Sequence, residues 1–263
     1  MSRPTVRELL DLKGVRQLSE VLVRTEDEAL ACEEAGIDLL ITVAGDQARK
    51  IRAAAPNTFL TMGILYGHCS SPTEAIKAGF AALNDGADAV YACMSIPFIE
   101  AMSNEGIPVV GHVGLVPQKR TWTGGFRAVG KTAEEALNVY QATADHQEAG
   151  AFAVEMEVVP FEVASEISKR MELLVISMGS GNGCDAQYLF AEDILGTNRG
   201  HVPRHAKVYR NLSSELDRIQ KERVQAFREY QADVLSGTFP GAGNTVKIKA
   251  NEYKEFLKKI PSY

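Results

Sequence analysis

The sequence is poor in cysteine: four thiols among 263 residues, at positions 32, 69, 93 and 184, with no two spaced as Cys-x-x-Cys. That scatter excludes a disulfide framework and a zinc ribbon, which need clustered thiols at set spacings. Reduced cysteines in a cytosolic protein fit it best. Long apolar runs are missing too. Nothing approaches the roughly 20 residues of a membrane span, and the opening Met1-Ser-Arg-Pro-Thr-Val-Arg7 has no stretch of signal-peptide length, so a cytoplasmic location is expected. Positive charge is also in short supply, with 28 Lys and Arg against 34 Asp and Glu. A net charge of −6 speaks against nucleic acid and against an anionic membrane surface as partners, because binding phosphates takes clustered cations. A small anionic substrate stays open, since it needs only one or two local cations. No Gly-x-Gly-x-x-Gly follows the first strand, which counts against a dinucleotide fold.

What is present is one phrase repeated. Gly36 precedes Ile-Asp-Leu-Leu-Ile-Thr-Val, Gly86 precedes Ala-Asp-Ala-Val-Tyr-Ala, Gly106 precedes Ile-Pro-Val-Val-Gly-His, and Gly150 precedes Ala-Phe-Ala-Val-Glu-Met-Glu. Each reads as a helix closed by a left-handed glycine and followed by a buried strand. Thr25 to Glu28, Ser71 to Glu74 and Thr132 to Glu135 match the S/T-x-x-E capping box that opens a helix. Strands are expected at 18–24, 38–43, 59–65, 89–93, 108–113, 151–157 and 173–179, with a faint eighth in 196–203. Strands alternating with helices, and apolar throughout, predict a parallel sheet covered by helices. Seven or eight such units in this length predict a single (β/α)8 barrel, residues 1–263, without a linker. A helix at 4–13 is expected to plug its bottom, and a long amphipathic helix at 215–235 extends its C-terminus.

Active sites of such barrels lie at the C-terminal strand ends. Glu155 and Glu157, two apart on strand six, are expected to face the interior together. Crowded carboxylates there raise at least one pKa and suit general acid–base work; a salt bridge from Glu155 to a barrel cation is the purely structural alternative. His112 ends strand five, where it can donate to an oxyanion or be a core histidine. Tyr91 and Cys93 end strand four, Asp46 follows strand two, and His68 falls either at the mouth or on the surface. Ser177 and the run Gly179-Ser-Gly-Asn-Gly-Cys-Asp185 read as exposed amides before a helix starting near Asp185, an anion site built from Gly179, Gly181 and Asn182. Lys119, Arg120 and Arg127 sit in a long loop, 114–130, that reads as a lid or a subunit contact. His146, on a helix, is expected to be solvated.

Several phrases together resemble the ketopantoate hydroxymethyltransferases, relatives of the phosphoenolpyruvate mutase and isocitrate lyase barrels. They are Ile107-Pro-Val-Val-Gly-His-Val-Gly-Leu-Val-Pro-Gln118, Gly124-Gly-Phe, Glu157-Val-Val-Pro160, Gly179-Ser-Gly-Asn-Gly-Cys-Asp-Ala-Gln187, Gly200-His-Val-Pro-Arg-His-Ala-Lys207 and Ser236-Gly-Thr-Phe-Pro-Gly241. The resemblance implies hydroxymethyl transfer from methylenetetrahydrofolate to a small anionic α-keto acid, with Mg2+ holding the enolate, in a homo-oligomer. It puts the general base at Glu157 and a substrate-contacting histidine at His112; Tyr91, Ser177, Gly179, Gly181, Asn182 and His68, placed by the strand-end reading, are the substrate-binding candidates. It also puts the family's strand-three aspartate at Gly63, its strand-four lysine and glutamate at Tyr91 and Cys93, and its strand-two aspartate at Ala44 or Asp46. What remains for a metal is a displaced site from Asp46, Glu155 and Glu157. Two alternatives follow: a metal-independent lyase or hydrolase of the same superfamily, and a barrel that binds a ligand without turnover.

Overall fold

Eight short apolar segments pair in parallel, each with the next, and the eighth closes on the first. The computed structural model describes residues 3–261. Its strands are β1 (Leu18–Leu22), β2 (Leu39–Val43), β3 (Phe59–Ile64), β4 (Ala89–Ala92), β5 (Val109–Gly114), β6 (Ala153–Glu157), β7 (Leu174–Met178) and β8 (Ala186–Phe190). Helices α1 (Val6–Asp11), α2 (Glu26–Ala35), α3 (Asp46–Ala54), α4 (Pro72–Asn84), α5 (Ile96–Asn104), α6 (Arg120–Thr123), α7 (Ala133–Glu148), α8 (Phe161–Arg170) and α9 (Ala191–Leu195) complete the first of two compact units, which runs to Arg210. The second unit, from Asn211, consists mainly of α10 (Leu212–Ser236) and α11 (Ala250–Lys259), neither of which buries a residue. No helix among the described residues is long and apolar enough to cross a membrane.

Strand parity sorts the side chains into two cores. Leu40, Leu60, Met62, Val90 and Val109 point outward and pack with Ile51, Ile99 and Met102 of the surrounding helices. Leu18, Leu39, Phe59, Ala89, Val110, Ala153, Leu174 and Ala186 point inward, and Leu9 of α1 packs among them. The N-terminal helix therefore does plug the barrel, and Thr5 and Glu8 secure its start with a reciprocal capping box. Carboxylates at helix-to-strand junctions stitch this end together. Asp38 accepts from the Ser19 amide at 2.8 Å, and Asp88 accepts from the Leu60 amide at 2.9 Å and from Arg52 at 2.8 Å. The repeated glycine–apolar–aspartate phrase thus carries a strand-to-strand tie along with its turn. Gly36 and Gly86 do adopt the left-handed φ that the turn demands, +75° and +101°.

The eighth strand is not where it was expected. It occupies 186–190, and residues 196–203 contain no strand. Asp185 begins no helix either, because only seven residues, 179–185, join β7 to β8. Parallel neighbours usually need a crossover of a dozen residues or more. Here the chain instead runs back directly beneath α8. A Cβ at Gly181 would lie 2.3 Å from the Phe161 ring, and one at Gly183 would lie 1.8 Å from Ser165 Oγ. Gly181 and Gly183 permit this close approach of backbone to helix. At the far end Asp185 accepts from the Val175 amide at 2.8 Å and from Ser168 at 3.0 Å, and it pairs with Lys13.

His146 is buried rather than solvated. Its Nδ1–H donates to the Ala142 carbonyl at 2.7 Å, and its ring packs against β5 behind Gly111, where a Cβ would come within 2.1 Å of Cδ2. Overpacking of this kind costs about 1–3 kcal/mol. Gly111→Ala is therefore expected to lower the unfolding free energy by about that much in denaturant titration. Adding His146→Ala should return part of the loss, and additive losses in the double variant would show that the two do not meet.

Candidate active site

The mouth of the barrel is assembled by the same parity rule. Leu22, Ile41, Val43, Gly63, Tyr91, Cys93, His112, Glu155, Glu157, Met178, Tyr188 and Phe190 face a cavity of about 370 Å³, within the usual range of small-molecule sites. Pro117 and Gln118 of the long loop after β5 reach into it, as do Asp193 and the half-buried His205. No lysine or arginine lines it among the described residues.

The pairing of β5 with β6 creates its centre. His112 stands in register with Glu155, and Gly114 with Glu157. Gly114 takes a φ of +85°, and a Cβ there would sit 2.4 Å from the Glu157 carbonyl, so the strand end can close in only without a side chain. Glu157 is followed by Val158 at φ +49°, a left-handed conformation that costs a β-branched residue roughly 1–3 kcal/mol. Surrounding bonds hold that conformation: the Val158 amide donates to Met178 O at 2.8 Å, and the Val159 amide to Ser180 Oγ at 2.9 Å. The turn bends the chain away immediately beyond the carboxylate.

The imidazole of His112 is anchored on both nitrogens. Nε2–H donates to the Leu115 carbonyl at 2.8 Å, and Nδ1 is bonded to the Tyr91 hydroxyl. Glu157 Oε2 lies 3.3 Å from Nε2, and Glu155 Oε2 lies 3.8 Å from Nδ1. Burial alone would lower the pKa of this ring. The charge of Glu155, aided by hydrogen bonding to Cys93 and Glu157, outweighs it and holds the pKa well above that of a free histidine. Burial likewise raises the Glu155 pKa, against the pull of His112. Tyr91 is raised well above the ordinary phenol value by burial and then by the charge of Glu155.

Of the residues singled out from the sequence, the structure brings Glu155, Glu157, His112 and Tyr91 together and leaves others outside. Asp46 is exposed in the first turn of α3, paired with Arg49, and no part of the cavity. His68 is exposed beyond the rim, where Leu65 and Tyr66 take the lining positions. Ser177 has the outward parity of β7 and accepts from the Ser180 amide at 3.1 Å. Gly179 packs against His205, Gly181 against Phe161, and Asn182 lies exposed near Gln17 on the return toward the barrel's N-terminal end. These positions follow from the seven-residue return described above, which carries the loop away from the mouth.

Sequence reasoning missed Glu20, Tyr188 and His205. Glu20 is buried on β1 between inward-facing Leu18 and Leu22, and burial, then the charge of Glu155, pushes its pKa up to about 8. An acid flanked at i±2 by leucines was the available signal. Tyr188 stands opposite Glu20 in the β1–β8 register. The alternation Ala186-Tyr188-Phe190 could have revealed it.

The site and fold define a (β/α)8-barrel enzyme. Solved structures of the same architecture include phosphonopyruvate hydrolase bound to oxalate and Mg2+, with a TM-score of 0.55 at 10% identity over 97% of this chain and 98% of that one. Another is 2,3-dimethylmalate lyase, a member of the PEP mutase/isocitrate lyase superfamily, with a TM-score of 0.52 at 12% identity over 97% of both chains. Sequence comparison is more specific. The profile of the ketopantoate hydroxymethyltransferase family matches residues 33–242. The 3-methyl-2-oxobutanoate hydroxymethyltransferase of Nitrosopumilus maritimus is 30% identical over 98% of this chain and 99% of its own length. That of Deinococcus radiodurans is 35% identical over 76% and 70%. The chain belongs to the ketopantoate hydroxymethyltransferase family.

His112, Glu155 and Glu157 offer three ligand-type atoms within 4.8 Å of one another, a grouping that can hold a divalent ion. The grouping does not fit Mg2+. That ion demands near-octahedral oxygen coordination, and here the third donor is an imidazole with both nitrogens engaged. The inward positions of β3 and β4 that would add carboxylates hold Gly63, Tyr91 and Cys93, and Asp46 is turned to solvent.

Glu20 supplies a pH test. Its folded-state pKa of about 8 lies above the ordinary 4.5, so its contribution to stability is complete below about 4.5 and is lost as the pH rises toward 8. Glu20→Gln should flatten that decline, raising stability at pH 8 relative to pH 5 by a few kcal/mol, since one pKa unit is about 1.4 kcal/mol. Parallel pH–stability curves for variant and wild type would contradict it.

Proposed function

We propose that the protein makes or breaks the C–C bond next to the carbonyl of a small α-keto acid by way of an enolate, as a hydroxymethyltransferase. The observation that carries the reading is the buried Glu157 carboxylate, held 3.3 Å from the His112 imidazole at the floor of a cavity open at the strand ends. Glu157 takes the α-proton, and the C–H electrons pass onto the carbonyl oxygen. The enolate carbon then bonds to a one-carbon electrophile and the carbonyl re-forms; run backwards, the same steps release that unit. His112 balances the carboxylate charges beside it and steadies the charge that develops on oxygen. The largely apolar lining strengthens both effects by excluding water.

The relatives' names supply the substrate class, 3-methyl-2-oxobutanoate. Methylenetetrahydrofolate is the one-carbon donor this reading calls for: with uptake of one water it would deliver its CH2 unit as a formaldehyde equivalent and leave as tetrahydrofolate. The loop carrying Pro117 and Gln118 would close over the bound acid, since those two side chains already line the cavity while Trp122 and Phe126 remain exposed. A cytoplasmic homo-oligomer suits this reading. Leu216, Phe227, Tyr230 and Leu235 of α10 are exposed, an apolar surface suited to association.

Glu157→Gln is expected to slow exchange of the 3-methyl-2-oxobutanoate α-proton with D2O, followed by NMR, by about 10²–10⁴-fold. Wild-type protein that exchanges no α-proton across a panel of keto acids would sink the reading.

A further inference from the structure

We propose that Tyr91 occupies the place of a divalent cation at the reacting carbonyl, so that the enolate forms on hydrogen bonds from the Tyr91–His112 pair without a metal. This inference rests on the enolate reading above and names the group that takes up the developing negative charge.

Three observations point to it. The first is a complementary exchange at the mouth. Gly63 and Tyr91 are in register on β3 and β4, and a Cβ at Gly63 would lie 3.5 Å from Tyr91 Cδ1 and 3.6 Å from the Thr42 carbonyl. The aromatic ring lies over the glycine, in the space that a longer side chain at position 63 would enter. Where the family resemblance expects an aspartate and a lysine, this chain has a glycine and a tyrosine that fit each other.

The second is that the Tyr91 hydroxyl is backed by a fixed ring. The Leu115 carbonyl can only accept, so Nε2 of His112 must carry a proton, and Nδ1 is left facing Tyr91. With the imidazole protonated on both nitrogens, Nδ1–H donates to the phenol oxygen, and the phenol O–H, whose other partner is the Glu155 carboxylate, can turn to an oxyanion bound in the cavity. A phenol supported in this way by a cationic donor makes a stronger, charge-assisted hydrogen bond to an oxyanion. It is aimed in advance, so it needs no reorganisation when charge appears.

The third concerns the rest of the lining, which has no lysine or arginine among the described residues. An enolate oxygen formed beside Glu157 must therefore find its donors among neutral or imidazole groups. Tyr91 lines the same floor and is bonded to the imidazole that lies 3.3 Å from Glu157.

The step balances without a further reactant. The α-proton moves to Glu157, its bonding electrons go to the keto oxygen, and the phenol O–H and the imidazole share the resulting charge. Return of the proton, or attack on the one-carbon unit, reverses the flow.

The test uses the full chain, stripped with chelator and assayed for metals. Exchange of the 3-methyl-2-oxobutanoate α-proton with D2O should continue with divalent metal far below the protein concentration and should not rise when Mg2+ or Mn2+ is added. Tyr91→Phe should lower kcat for exchange by about 10²–10³-fold, the loss typical of one oxyanion donor, with KM nearly unchanged. Oxalate, an enolate mimic, should perturb the tyrosine ultraviolet spectrum of the stripped wild type, and the variant should lack that band. A stripped enzyme that is silent until Mg2+ or Mn2+ is restored overturns the inference and leaves the enolate reading standing. A Tyr91→Phe variant with unchanged kcat overturns it as well. Protein that exchanges under neither condition overturns both. Should Tyr91→Phe fail to fold, the metal dependence of the wild type decides alone.

Discussion

Everything at the mouth of this barrel depends on keeping three glutamates, at 20, 155 and 157, in a closed apolar wall with one imidazole among them. Taking a carboxylate out of water is costly, and like charges in a low-dielectric space add to that cost. The molecule meets it in two ways. His112 is held with a raised pKa beside Glu157 and Glu155, and Glu20 and Glu155 are themselves shifted upward by burial. The outcome is a wall in which Glu20 and Glu155 hold their protons more tightly than free carboxylates do, rather than a fixed block of negative charge. The strained Val158 and the bare backbone at Gly114 belong to the same arrangement, because both let Glu157 end its strand directly over the imidazole.

The barrel was readable because its repeating unit is local. A glycine at the end of a helix, then an apolar strand, are both written within a dozen residues, and four strands, β2, β4, β5 and β6, fall on those marks. β8 has no helix in front of it and so no such mark. It was missed because the residues that shape its approach, Phe161 and Ser165, come from a helix some twenty positions earlier. Only tertiary packing distinguishes glycines that must slip under a helix from glycines that bind an anion. His146 was misread for the same reason: the cavity that receives its ring is made by the absence of a side chain at Gly111 on another element.

The acid pair and its histidine were legible because a strand has a strict period of two, so residues 155 and 157 cannot face apart. Register did the rest by setting His112 opposite Glu155. What a period cannot reveal is depth and direction beyond a strand's end, which is why Asp46, His68 and Asn182 were plausible from position yet lie outside the cavity. Glu20 shows the reverse error. Its parity was available, but an acid near the start of a strand reads as a solvated one until the closing of the sheet by β8 brings Tyr188 across from it.

The departures at positions 63, 91 and 93 are best understood together. A wall already holding three buried glutamates tolerates further carboxylates only if a cation sits among them, since each added charge meets the others across a poorly screened space. Gly63, Tyr91 and Cys93 relieve that demand: none adds a negative charge, and the tyrosine ring covers the glycine. Restoring one acid alone would leave it without the cation it requires. Under the proposed reading the cavity works without those carboxylates while keeping Glu157 and His112, the pair assigned to the enolate step.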